Sequence, residues 1–212
     1  MWAMSTSETD REAVDTGEEI MVATYRALSK HGYANLTMQA IADEFEKTKA
    51  VIHYHYDTKD DLLVAFLDYL LDRFTERLAV GEDADPNDRL DALVDELLLG
   101  LGDDEEATRS NHEFHAALLE LRSQAPHNDA YRAQLTTNYE LLVDMLTAVI
   151  DDGIEQGVFH DVDAEQTATL VLATMLGGRV HHITLDHENM AVEVRDALEA
   201  QVLRDLRVPE RT

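Results

Sequence analysis

Interruptions to helical periodicity are rare in this chain. Its 212 residues hold three prolines, at 86, 126 and 209, and nine glycines. The stretches between them carry apolar residues at three- and four-residue spacing, and none alternates as a half-buried strand does. An all-α fold is therefore expected. An apolar content of 45% supplies a packed core. No run reaches the roughly 20 apolar residues that span a bilayer. With no cysteine, disulfides, thiolate catalysis and cysteine-ligated metals are excluded. The start, Met1–Asp15, lacks the basic and apolar stretches of a secretory signal, so a cytoplasmic protein is expected.

Local signals place the elements. Residues 1–16 read as an acidic flexible tail. A first helix is expected from about Gly17 to His31, with Ile20, Ala23, Ala27 and Leu28 as its apolar stripe. Gly32 follows where a helix end calls for positive φ, and Lys30 and His31 suit the negative end of the dipole. Thr37 caps a helix over 38–45, Thr48 caps one over 49–56, and Thr58 opens a long helix with Asp60 and Asp61 in its first turn. Beyond a loop at 81–88, helices are expected over 86–100 and, after a break at 100–104, over 105–123 as one helix or two. Another follows from Pro126 and Asn128 to about Gln156. Asp163 with Gln166 forms a capping box for 164–185, and a last helix covers roughly 190–206.

Charge is distributed unevenly. The chain carries 44 Asp and Glu against 17 Lys and Arg, a net of −27. All four lysines, Lys30, Lys47, Lys49 and Lys59, lie within residues 30–59, and residues 21–59 carry a net of +1. Residues 60–212 hold 34 acids against 11 arginines and no lysine. Such a dispersed, lysine-depleted acidic surface points to work in high intracellular salt, as in halophiles. It also repels nucleic acid, and molar salt weakens phosphate contacts steeply. A DNA binder under these conditions leans on shape and base contacts.

The segment spared from the acid also has the most informative pattern. At about 100° per residue, Ile52, His55 and Tyr56 fall on one side of the helix over 49–56. Ala50 and Tyr54 centre the other side, flanked by Lys49, Val51 and His53. On the preceding helix Met38, Ile41 and Phe45 turn inward, and small Ala42 permits close approach. Two short helices around a turn of about three residues match a helix-turn-helix, whose second member enters the major groove. Lys49 and Lys59 can neutralise phosphates. Helix N-termini at Thr37 and Thr48 present N–H groups to the same anions, and Lys49, Ala50, Val51, His53 and Tyr54 can reach base edges or phosphates. The alternative is a plain solvated surface helix.

Residues 17–63 resemble the N-terminal domain of TetR-family transcriptional regulators. The run TKAVIHYHYDTKDDLL (48–63) follows that family's order of small cap, Lys, small residue, apolar pair, aromatic–His–aromatic cluster and Thr-Lys-acid-acid-Leu. HGYANLTMQAIADEF (31–45) matches upstream. The resemblance implies double-stranded DNA as partner, with Thr37, Thr48, Lys49, Ala50, His53, Tyr54, His55 and Lys59 at positions that commonly touch it. Three positions depart. Glu46 stands where the turn usually has Gly, Lys47 where it has a buried apolar residue, and His53 where it has Tyr.

The implied plan is a tail (1–16), a three-helix helix-turn-helix domain (17–62) and a larger helical effector-binding and dimerisation domain (63–212). DDGIEQGVFHDVDAEQTATLVLATMLGG (151–178) resembles the family's link between its last two long helices, which pair with their twins in a homodimer. The helical stripes Leu135, Tyr139, Leu142, Leu146, Val149 and Ala168, Leu172, Met175, Leu176 are the candidates for that interface. Leu93, Leu97, Phe114, Leu118, Leu121 and Tyr139 are the candidates for the family's effector pocket. Few basic residues fall there apart from Arg122 and Arg179, which favours a neutral or cationic lipophilic ligand. The expected function is a ligand-responsive homodimeric repressor on a palindromic operator, not an enzyme, with no cofactor. The competing readings are a helical adaptor that binds protein through the same domain and a metal-responsive sensor. The sensor would use the groups His112, Glu113, His115 and His181, His182, His187, but neither has the HExxH spacing of a zinc protease, and no metal is expected.

Overall fold

The computed structural model describes residues 8–45, 48–79, 84–99, 105–187 and 189–209, and every regular element among them is helical. In chain order these are α1 (Glu8–Asn35), α2 (Met38–Asp43), α3 (Lys49–His55), α4 (Lys59–Ala79), α5 (Pro86–Leu98), α6 (Glu105–Arg122), α7 (Asp129–Glu155), α8 (Ala164–Thr184), α9 (Met190–Leu198) and α10 (Arg204–Leu206). A 3₁₀ turn, Ala125–His127, precedes α7, and a π-helical turn, Glu199–Leu203, joins α9 to α10. The all-α expectation holds. The turn residues Glu46 and Lys47 and the breaks at 81–83 and 100–104 lie outside the described residues.

The chain packs as two compact units. One comprises Met1–Leu70 with Arg109–Gln134, the other Leu71–Thr108 with Leu135–Thr212. Helices α4, α6 and α7 each continue from one unit into the other.

In the first unit α1 starts at Glu8, earlier than expected, so residues 8–16 are helical rather than a tail. A glycine inside a helix costs about 1 kcal/mol relative to alanine but does not end it, and the helix runs through Gly17. It breaks instead at Gly32, where φ is 67° and ψ is 168°, a region open essentially to glycine alone. The Thr37 hydroxyl accepts the Ala40 N–H at 3.0 Å to start α2. At α4, Thr58 and Asp61 form a reciprocal cap: Asp61 Oδ2 accepts the Thr58 N–H at 3.1 Å, and Thr58 Oγ1 accepts the Asp61 N–H at 3.1 Å. The core gathers Ile20, Leu28, Ile41, Ile52, Leu62, Leu63, Phe66, Leu121 and Tyr131, none of which is exposed.

In the second unit α5, α8 and α9 pack around Leu90, Val94, Leu146, Ile150, Val171, Leu172, Met175 and Leu203. The expected capping box is present at α8: Asp163 Oδ1 accepts the Gln166 N–H at 3.0 Å. The Gln166 side chain returns to Asp163 Oδ2 at 2.6 Å rather than to a backbone donor. After α7 the chain reverses at Gly157, with φ of 73°, and drops Phe159 into the core. Phe159 lies so close to Gly153 that a Cβ there would meet its ring at 2.0 Å. His160 N–H then donates to Leu206 O and Val208 N–H to Val158 O, each at 2.8 Å. The C-terminal end is also held by arginines. Arg195 pairs with Asp91, Asp95 and Glu199, and Arg207 with Asp91 and Glu199, at 2.7–3.2 Å. The single helix expected over 190–206 is interrupted by the π-helical turn, which lies between these two arginines.

Candidate nucleic-acid interface

The reading element is small and held by few contacts. Ile52 is the buried residue of α3, seated against α2, whose Met38, Ile41 and Ala42 face inward. Phe45 closes the same core. A seven-residue helix is far too short to persist alone, so this apolar seam is what makes α3 a helix. The opposite face carries no acid. Lys49, Ala50, His53 and Tyr54 are exposed, and Tyr54 leaves 86% of its surface to solvent. Tyr54 packs only edge-on to His55, with ring centroids 5.4 Å apart. Val51 and His55 are half-buried. Tyr56 ends α3 through its N–H to Ile52 O at 2.9 Å, and burial raises its phenol above the ordinary range.

The flanking lysines differ in their surroundings. Lys30 reaches Glu44 Oε1 at 2.6 Å, tying the end of α1 to the end of α2. This hydrogen bond and charge raise the lysine above its ordinary value. Lys59 Nζ donates to Leu36 O at 3.3 Å and lies 4.6 Å over the Tyr33 ring. Lys49 extends from the first turn of α3 and is exposed. Thr37 has its hydroxyl on Ala40, whereas Thr48 makes no side-chain cap bond.

A two-helix module with one apolar seam and a small, basic, aromatic outward face is the geometry of a helix-turn-helix reading head. The rest of the chain agrees with it. Residues 20–66 match the tetR family of bacterial regulatory proteins, and residues 86–207 match the C-terminal family of BetI-type transcriptional repressors. The chain belongs to the TetR family of transcriptional regulators. It is 46% identical to a TetR transcription regulator of Haloarcula marismortui whose crystal structure superposes with a TM-score of 0.81, covering 92% of this chain and 100% of that one. That likeness supports the halophilic reading of the charge. A regulator of Saccharomonospora viridis solved in complex with choline is 25% identical, with a TM-score of 0.72 over 89% of this chain and 97% of that one. The HTH-type transcriptional regulator TtgR of Pseudomonas putida is 32% identical over 90 residues, 42% of this chain. The match spans only 43% of TtgR. All are regulators rather than enzymes.

The effector candidates fall in different places. Leu93 is buried and Leu97 and Tyr139 half-buried in the core of the second unit. Phe114, Leu118 and Leu121 belong to the first unit, where Phe114 stacks on Tyr25 at 4.4 Å and meets Phe66 edge-on at 6.2 Å. Of the dimer candidates, Leu146, Val149, Ala168, Leu172 and Met175 are buried in the chain's own core, so they cannot offer area to a second copy. A helical stripe has one period whether it faces its own chain or a twin, and spacing alone does not separate the two. Leu135, Leu142 and Leu176 are half-buried. Exposed apolar residues among the described residues of this TetR-family chain include Leu141 on α7, Leu170 and Val180 on α8, Leu185 just after it, and Val192 on α9. Among the described residues no three His, Asp or Glu side chains gather as a metal requires, and no helix is long and apolar enough to cross a membrane.

Local patterning does not reveal the residues that hold the reading head from a distance. Glu120 Oε2 accepts the N–H groups of Tyr33 and Ala34 at 3.0 and 3.4 Å. Tyr131 donates its hydroxyl to Asp60 Oδ1 at 2.5 Å, and Asn128 Nδ2 donates to Asp60 Oδ2 at 3.1 Å. Burial first, and then Asp60, raise the Tyr131 phenol far above its ordinary value. These partners are 68 to 87 residues apart in sequence.

Proposed function

We propose that this regulator is a cytoplasmic repressor that binds a palindromic operator as a homodimer and leaves it when a small effector binds. The observation that carries the reading is the acid-free outward face of α3. To it we assign Lys49 and Thr48 for phosphates, with Lys59 flanking, and Ala50, His53 and Tyr54 for base edges, with His55 at the margin. The α8 surface suits self-association. Leu170, half-exposed Gly177 and Val180 follow one another along it, and a Cβ on Gly177 meets nothing within 4 Å. Small residues on such a stripe let a twin helix approach closely.

For the effector we favour a neutral or cationic lipophilic molecule. The chain's acidity disfavours an anion, and a relative was solved with choline. To test this, the full-length protein is footprinted at molar KCl on the DNA upstream of its own gene, then titrated with choline and with a neutral analogue of similar shape. Protection of a palindrome that fades with either ligand supports the reading. Protection that persists through both titrations removes the proposed effector class, and no protection removes the operator.

A further inference from the structure

We infer that Tyr131 and Glu120, far from the helix-turn-helix in sequence, are positioning residues for DNA recognition. Resting on the reading that α3 enters the groove, the inference starts from how weakly α2 and α3 are held by their own residues. They are six and seven residues long, and their placement is inherited from the end of α1 on one side and the start of α4 on the other.

Each of those two points is gripped by the same stretch of chain, residues 120–131. Gly32 breaks α1, so the N–H groups of Tyr33 and Ala34 lose their i−4 acceptors, as in any first turn. Glu120 supplies a charged oxygen to both. At the other point, both oxygens of Asp60 in the first turn of α4 are occupied, one by the Tyr131 hydroxyl and one by Asn128. Asn128 in turn accepts the N–H groups of Ala130 and Tyr131 at 3.0 and 3.2 Å, capping α7. The cap of one helix and the first turn of the other are thus one cluster. Only four residues, 56–59, separate Asp60 from the end of α3 at His55, so a shift of Asp60 carries directly into the reading helix. Tyr131 is fully buried, and its ring fixes the hydroxyl with little freedom left.

The test uses the full chain at molar salt and a duplex enriched by the wild-type protein from a randomised pool. Variants are Tyr131→Phe, Glu120→Ala, Glu120→Gln and Asp60→Ala. Dissociation constants are taken on the active fraction, alongside melting temperatures. Expected results are a roughly tenfold loss of affinity in Tyr131→Phe and Glu120→Ala, the fold-change of one charge-assisted hydrogen bond. Glu120→Gln, which keeps an acceptor oxygen, recovers most of it. Adding Tyr131→Phe to Asp60→Ala costs little beyond Asp60→Ala alone, because the acceptor of the Tyr131 hydroxyl is already gone. If the variants melt lower but the folded fraction binds with wild-type affinity, the contacts merely hold the fold and the inference is overturned. Additive losses at Tyr131 and Asp60 also overturn it. If the wild-type protein enriches no sequence, the DNA reading itself fails and takes the inference with it.

Discussion

Ile52 and Tyr54 lie two positions apart on α3 and have opposite roles. Ile52 is fully buried and anchors the helix, while Tyr54 is almost fully exposed and anchors nothing within the chain. Substitution therefore separates fold from function. Ile52→Ala is expected to cost about 2–5 kcal/mol, lowering the melting temperature and abolishing DNA binding together. Tyr54→Ala leaves the melting curve within experimental error and still removes DNA binding. At Gly32, alanine must adopt a positive φ that it strongly disfavours, so Gly32→Ala is expected to destabilise by about 1–3 kcal/mol. Gly153→Ala meets the Phe159 ring and is expected to cost a similar amount, roughly 1–3 kcal/mol, through overpacking. Both are read by chemical denaturation in molar salt.

At the scale of elements, helix starts and stops were legible because their signals are local. Thr37, Thr58 and Asp163 each bond a donor three residues onward, and Gly32 has the positive φ its position implied. What sequence could not show depends on partners distant along the chain. The grips by Glu120 and Tyr131 leave no periodic trace, and the π-helical turn at Glu199–Leu203 sits where two arginines converge on Asp91 and Glu199. The overlap of the dimer stripe with the core has the same origin, since Leu146 and Leu172 look alike whether they face their own core or a copy. One cap also gives a pH prediction. Asp85 accepts the Asn87 N–H at 2.8 Å at the start of α5, and this bond, then the Asn87 side chain, holds its carboxyl below the ordinary value. The contribution is therefore complete above the unfolded-state value and is lost as pH falls through the folded one. Amide exchange in the first turn of α5 should accelerate in acid beyond the intrinsic trend, and Asp85→Ala should remove that excess.

For the whole molecule, a net charge of −27 makes the compact state self-repulsive until salt screens it. Thermal stability is expected to rise steadily with KCl into the molar range, and a melting temperature independent of salt contradicts the halophilic reading. The same charge limits DNA affinity. If each reading head neutralises about two phosphates, a dimer's log–log salt slope has a magnitude of roughly 4 or less. Recognition is then carried by the fit of α3 into the groove and by side-chain contacts, with the lysines in a supporting part. The acid-free face of α3 is the proposed reading surface. Its most direct test is a hydroxyl-radical footprint at molar KCl on duplexes enriched by the wild-type protein, with Lys49→Ala and Tyr54→Ala compared at equal folded concentration. The expected footprint is two protected patches on one face of the duplex, about 34–36 Å apart, which both variants lose while keeping wild-type circular dichroism. Protection that survives both substitutions contradicts it.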